Sequence, residues 1–217
     1  MGSAIQDDLF GQLNSSLVKV GVDEVGRGCI AGPVVACACF ALDTCQLPQV
    51  FDSKTLSAED REDIFIQLSQ LENFHFAFGV VSNDQIDQIN ILQATFKAMK
   101  IAISRLPLEF DEILVDGSLL IPGLNYPQKA IVKGDSKEPI ISAASILAKV
   151  FRDKLMDMYS RQFPKYGFDV HKGYGTALHL EKLKAFGPTT LHRMSFAPLS
   201  KKEEANTLFL PLDEMLL

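Results

Sequence analysis

The sequence predicts an α/β layer fold with a mixed sheet, on two observations. Two apolar runs, Leu17 to Val22 and Val34 to Leu42, flank a glycine-rich turn and precede a third, aromatic run at Phe74 to Val81. Strands favour β-branched and aromatic residues, and the short link between the first two suits an antiparallel meander. Beyond the third run, strand and helix patterns alternate, which adds helix-covered strands to the same layer.

The elements follow in order. Val20 to Val35 reads as strand, tight turn and strand, because Gly26, Gly28 and Gly32 free the backbone between the apolar arms. Ser57 is placed to cap a helix running to about Leu71, with Asp60 three residues on as a near capping box. Asn83 to Ile89 reads as a short helix. Ile91, Thr95, Ala98 and Ala102 recur at helical spacing in a longer one that ends before Pro107. Glu112 to Asp116 is a fourth strand closed by Gly117, and Lys129 to Lys133 a fifth closed by Gly134-Asp135. Ile140 to Tyr159 forms a long helix whose Ser142-Ala143-Ala144-Ser145 stretch allows close packing. After Pro164 the chain is rich in Gly, His and Lys, with a short helix from Thr176 to Ala185 before Gly187-Pro188.

Composition narrows the function classes. At 217 residues with 47% hydrophobic and 22% charged residues, the chain has the make-up of a soluble globular protein. Its longest apolar run, Ile30 to Leu42, is broken by Gly32 and Pro33 and is too short to span a bilayer. The polar, acidic start lacks the basic and apolar regions of a signal peptide, so a cytoplasmic address is expected. Cys29, Cys37, Cys39 and Cys45 form no Cys-x-x-Cys pair, and buried reduced thiols are expected instead of zinc. The net charge of −6 hides a split. From His171 to Lys202 the chain carries Lys172, Lys182, Lys184, Arg193, Lys201 and Lys202 against only Glu181. A basic flank on an acidic body suits an enzyme that grips a polyanion and holds metal.

The candidate chemistry lies where the acids fall. Asp23, Glu24, Asp116 and Asp135 all sit at or just beyond the ends of apolar strands, where α/β sheets build their sites. Carboxylates gathered without a cation repel and push pKa values up. All-oxygen donors call for a hard ion, Mg²⁺ or Mn²⁺, and two such ions about 3.5–4 Å apart suit in-line displacement at phosphorus. Neighbouring strand residues face opposite ways. Asp23 and Glu24 can therefore share a site only if the strand ends there and the longer Glu24 reaches around. Asp153, beside Arg152, reads as half of a structural ion pair, and His171, His179 and His192 as polar packing residues.

These motifs resemble the bacterial ribonuclease HII family, within the type 2 ribonucleases H. The resemblance rests on Asp23-Glu24-Val25-Gly26-Arg27-Gly28 with Ala31-Gly32-Pro33-Val34-Val35, then Asp52-Ser53-Lys54 and Asn90 to Thr95 with Met99. It continues through Val115-Asp116-Gly117, Lys133-Gly134-Asp135 and Ser142 to Val150 with Arg152-Asp153. It closes with His171 to Thr176, His179, Gly187-Pro188 and His192 to Phe196. The resemblance implies a ribonuclease H-like fold, a five-stranded mixed sheet flanked by helices with a small C-terminal helical segment. The chain then divides into an N-terminal extension over 1–16, a catalytic domain over 17–198 and a tail over 199–217. The domain includes the helical part from about 165.

The implied activity is metal-dependent endonucleolytic cleavage of the RNA strand of RNA–DNA hybrids, and of duplex DNA at single embedded ribonucleotides. Two-metal hydrolysis would leave 3′-OH and 5′-phosphate ends. By the resemblance, Asp23, Glu24, Asp116 and Asp135 hold Mn²⁺ or Mg²⁺. Gly26, Arg27 and Gly28 contact the 2′-OH, Tyr174 packs near the sugar at the junction, and Arg27 marks type II. Lys54, Lys172 and Lys184 are expected at backbone phosphates. Two other classes are weighed against this: a binding module without catalysis, and another metal-dependent nuclease of the same fold acting on DNA. In the tail, Leu208-Phe209-Leu210-Pro211-Leu212 is similar to peptides that bind the bacterial sliding clamp, with Thr207 where those usually carry Gln. The other expectation for that segment is that it folds back on its own domain.

Overall fold

A computed structural model describes residues 17–42, 47 and 56–200. The N-terminal extension, Cys45, Lys54 and the tail from 201 onward lie outside the described residues. Five strands form one sheet: β1 (Lys19–Val25), β2 (Val34–Ala41), β3 (Phe74–Val81), β4 (Glu112–Asp116) and β5 (Gln128–Ile131). The order is β3-β2-β1-β4-β5. The first three strands pair antiparallel, as the expected meander, while β1–β4 and β4–β5 are parallel. The sheet is therefore mixed, with β1 at its centre.

Helices α1 (Ala58–Gln70), α2 (Asn83–Ile89), α3 (Ile91–Ser104), α4 (Pro139–Gln162), α5 (Phe168–His171) and α6 (Ala177–Phe186) complete the fold. Period-two alternation along β2 divides the core. Val34, Ala36, Ala38 and Phe40 join Val20, Val22, Ile113 and Val115 against Ala94, Ala98, Met99 and Ala102 of α3. Cys37 and Cys39 turn the other way, with Leu114, toward Ile141, Ala144, Leu147 and Ala148 of α4. Cys29, Cys37 and Cys39 are buried free thiols, as expected. Ser57 and Asp60 complete a full capping box at α1.

Two local expectations are corrected. β1 does not stop at Val22; it runs on through Asp23 and Glu24, opposite Cys37 and Ala36 of β2, because the antiparallel partner continues to supply its ladder. β5 ends at Ile131, two residues early. Lys133 takes a left-handed conformation (φ 57°), which no strand accommodates, and opens a 3-10 turn at Gly134–Ser136. Asp153 is half of a structural ion pair, as expected, with Lys149 one helical turn back at 2.7 Å.

The C-terminal segment packs on the far half of α4 through Met156, Tyr166, Phe168 and Leu191, together with Ala31 of the glycine-rich turn. A lone bridge between Ala31 and His192 brings 189–193 alongside that turn. The three histidines do pack this segment. His171 and His179 stack with centroids 3.9 Å apart, and His179 Nε2 lies 3.1 Å from His192 Nε2. Burial pushes His179 down to about 4 and lowers the other two as well, so all three are neutral at pH 7. Among the described residues, no helix is long and apolar enough to cross a membrane.

Close approach between layers depends on particular glycines. A Cβ on Gly79 of β3 would overlap the Ala98 carbonyl oxygen of α3, and one on Gly21 would overlap the Ile140 carbonyl of α4. Backbone cannot swing aside as a side chain can. Gly79→Ala should therefore cost about 2–4 kcal/mol, above the usual overpacking range. Urea unfolding measures it, and a loss under about 0.5 kcal/mol would mean that the layers have slack.

Candidate active site

The site is built at the adjoining ends of β1 and β4. Their parallel register pairs Val22 with Val115, so Asp23 and Asp116 are the next residues along. They project to one face, toward α4. Asp23 is 6% exposed, and Ser145 of α4 hydrogen-bonds its carboxyl group. The Glu24 amide also donates to Asp23 Oδ1, at 2.7 Å. Asp116 Oδ1 accepts from the amides of Gly134 (2.6 Å) and Asp135 (3.3 Å). These two bonds fold the 3-10 turn onto the end of β4 and seat the buried Asp135 beside Asp116.

Glu24 has the opposite strand parity, yet it belongs to the same electrostatic group. Burial raises its pKa and the nearby Asp116 charge adds to the rise, against the bond and charge of Arg27. Arg27 Nη1 donates to Glu24 Oε1 at 3.0 Å. Glu24 therefore interacts with Asp116 although the strand does not end at it. For Asp23, burial, then Glu24, then Asp116 push the carboxyl well above the usual range, outweighing the bonds from Ser145 and Glu24. Three interacting carboxylates at one spot is a charge density that a divalent cation relieves.

Among the described residues, no three Asp, Glu, His or Cys side chains converge in finished coordination geometry. The carboxylates are instead held by protein donors, namely Ser145, Arg27 and the amides of Glu24, Gly134 and Asp135. The donor set is nonetheless oxygen alone, which fits Mg²⁺ or Mn²⁺ and not zinc. Asp23, Glu24, Asp116 and Asp135 are the residues that could hold such an ion.

The expected substrate residues are placed unequally. Gly26 has φ 92°, and a Cβ there would overlap the Arg152 guanidinium, so packing alone demands glycine. A Cβ at Gly28 would meet no protein atom within 4 Å, so nothing inside the chain requires glycine there. Arg27 is half exposed beside Glu24. Tyr174 is 39% exposed and lies with its ring 5.9 Å from the Arg152 guanidinium carbon. Lys172 is drawn into an ion pair with Asp157, and Lys184 is exposed on α6. Sequence reasoning missed the roles of Ser145, Arg152 and Arg193. Ser145 sits in a small-residue stretch and invites a packing role, and nothing local marks the two arginines as buried.

A mixed five-stranded sheet in the order β3-β2-β1-β4-β5, with acids gathered at the adjoining ends of β1 and β4, places the chain among α/β proteins with a site suited to a hard cation. A sequence profile described as Ribonuclease HII matches residues 20–199. Ribonuclease HII of Chlamydia pneumoniae is 50% identical over 184 residues, covering 85% of each chain. Ribonuclease H2 of Pyrococcus horikoshii OT3 superposes with a TM-score of 0.70 at 27% identity, over 84% of this chain and 95% of that one. RNase HII of Archaeoglobus fulgidus, solved in a complex with PCNA, gives 0.73 at 27%, over 86% and 98%. The chain belongs to the ribonuclease HII family and is a ribonuclease H endonuclease.

The electrostatics set a testable sign. A carboxyl whose pKa is raised on folding costs stability while ionised, and stops doing so once protonated. Asp23→Asn should therefore raise the metal-free thermal midpoint at pH 8 by about 3 °C or more. The gain should shrink as pH falls through the raised range in which wild-type Asp23 takes up its own proton. Calorimetry in EDTA across that range checks it, and a midpoint lowered at pH 8 would show that Asp23 is not under repulsion.

Proposed function

We propose that the enzyme cuts the RNA strand of RNA–DNA hybrids and also nicks duplex DNA at single embedded ribonucleotides. Asp23, Glu24, Asp116 and Asp135 serve as its metal-binding carboxylates. The observation that carries this reading is the gathering of Asp23, Glu24 and Asp116 at the adjoining ends of β1 and β4, beside a glycine turn with open space at Gly28. Two Mg²⁺ or Mn²⁺ ions held by these four carboxylates would lower the pKa of a bound water and neutralise the phosphate, and hydrolysis there would leave 3′-OH and 5′-phosphate ends.

The chain's own residues do the rest. The 2′-OH separates RNA from DNA, and backbone N–H groups at Arg27 and Gly28 can bond it where no side chain intervenes. Arg27, held by Glu24, reaches the adjoining phosphate from the same turn. The exposed face of Tyr174 packs against the sugar at the junction, its ring steadied by Arg152. Lys184 and Lys54 add phosphate contacts that position the duplex without reading sequence. Lys172 does so once it exchanges Asp157 for a phosphate.

The test is cleavage of three duplexes with Mg²⁺ and with Mn²⁺: a long RNA–DNA hybrid, DNA with one ribonucleotide, and all-DNA. Cutting of the first two alone supports the reading, while equal cutting of all-DNA would favour a DNA nuclease of this fold. Asp116→Asn should lower turnover by at least about a hundredfold with the fold retained, since ligand charge is lost but little volume. Tyr174→Phe should cost little, and Tyr174→Ala about 1–3 kcal/mol of sugar or base packing. The Ala loss should be larger on the single-ribonucleotide duplex than on the hybrid, where many registers are open. Equal losses on both would remove Tyr174 from the junction.

The Archaeoglobus relative in complex with PCNA supports a clamp association for this chain; that the 199–217 tail makes it rests on the tail's likeness to clamp-binding peptides alone. A labelled peptide covering 206–217 should bind purified bacterial clamp at micromolar concentration. Absence of binding at high micromolar clamp would leave the fold-back expectation for the tail.

A further inference from the structure

Arg152 and Arg193 are wholly buried, at 0% exposure each. A buried guanidinium is ordinarily matched to a carboxylate, because an unpaired charge is costly to desolvate. Among the described residues, neither arginine forms an ion pair. Their bonds go to main-chain carbonyls instead. Arg193 donates to the carbonyls of Gly26 (2.7 Å), Arg27 (3.0 Å) and Gly32 (3.0 Å). Arg152 donates to those of Ala31 (3.2 Å), Pro33 (3.0 Å) and Lys172 (2.8 Å). Almost every one of these acceptors lies in the turn between β1 and β2.

The geometry of the peptide unit gives this a consequence. In a trans peptide the C=O and the following N–H point in opposite directions. Drawing the Gly26 and Arg27 carbonyls inward to Arg193 therefore turns the N–H groups of Arg27 and Gly28 outward. Among the described residues, no acceptor takes either N–H. The glycines match the arrangement: a Cβ on Gly26 would overlap Arg152, and one on Gly32 would lie 2.7 Å from Met156 Sδ and 3.5 Å from Arg152 Nη2. Arg152 also backs the Tyr174 ring and holds the Lys172 carbonyl two residues before it. The turn and the tyrosine thus share one buried support.

We propose that Arg193, backed by Arg152, is a positioning residue that sets discrimination between ribose and deoxyribose by holding the Arg27 and Gly28 N–H groups outward. The inference rests on the reading that this turn contacts the 2′-OH. Arg193→Lys keeps the charge, but an ammonium on a flexible stem cannot hold three carbonyls in the fixed planar fork of a guanidinium. The turn then loses its fixed orientation while the carboxylates of β1 and β4 keep theirs.

The test is equilibrium binding in EDTA, by fluorescence anisotropy, to a DNA duplex with one ribonucleotide and to the same duplex in all-DNA form. Wild type should prefer the first. Arg193→Lys should bring the ratio about tenfold nearer to one, with all-DNA affinity changed by no more than about threefold, because only the Arg27 phosphate contact lies on the turn and those of the lysines do not. Equal binding of both duplexes by wild type would defeat the reading of the turn, and the inference with it. Preference in wild type that survives unchanged in Arg193→Lys would overturn the inference and leave the reading standing. A parallel loss on both duplexes would reduce Arg193 to a structural role and overturn it too. Should the variant not fold, hydrogen exchange by NMR on wild type decides. The Arg193 guanidinium protons should exchange slowly, and the Arg27 and Gly28 amides fast until the ribonucleotide duplex is added. Fast guanidinium exchange, or amides that the duplex does not slow, would overturn the proposal.

Discussion

Asp23 and Asp116 lie side by side at the ends of adjacent parallel strands, with Glu24 near enough to add its charge. Like charges in a partly dry site oppose folding, and the surrounding structure is arranged to hold them there anyway. Ser145, Arg27 and a set of backbone amides each take one carboxylate oxygen, which limits the repulsion and leaves a site predisposed to a divalent ion. The central position of β1 matters for the same reason. A strand laddered on both sides cannot shift to move Asp23 and Asp116 apart.

The second constraint is the way the glycine turn is fastened. Two guanidiniums buried without carboxylate partners would ordinarily be a weakness. Here the carbonyls of the turn compensate them, and the turn in exchange has little conformational freedom. Burial lowers Arg193 only to about 10, so it remains charged throughout the physiological range. These buried charges lie beneath the surface where a polyanion would approach, on a chain whose net charge is negative. The C-terminal segment makes this possible, since Arg193 and Tyr174 both belong to it. Its histidines stay neutral and bond to one another and to the main chain, which keeps that segment seated against α4.

Much of this was legible from single positions. The limits of β3, α2 and β4 coincide with the segments read for them, because sharp punctuation by Ser82, Asn90 and Gly117 brackets each. The capping box at Ser57 and Asp60, the reduced thiols of β2 and the packing role of the histidines were likewise readable from residue type and spacing. Sequence pattern makes β1 too short because Asp and Glu have low strand propensity, a preference that the continuous antiparallel partner overrides. It makes β5 too long because Val132 and Lys133 extend the pattern, whereas the bonds from the Gly134 and Asp135 amides to Asp116 end the strand sooner.

By itself the sequence determined the mixed α/β layer, the placing of Asp23, Glu24 and Asp116 in the last residues of their strands, and, through its motifs, the family. Those are properties of local pattern and order along the chain. Tertiary structure alone decided that Glu24 interacts with Asp116 despite its opposite strand parity, and that Lys172 is paired with Asp157. It also decided that Gly26 is glycine for packing while Gly28 is not, and that Arg152 and Arg193 turn inward upon the carbonyls of a turn far away in sequence. An arginine codes equally well for a solvated surface and for a buried fork. Which one it becomes depends on acceptors brought from elsewhere in the chain, and no local pattern records them.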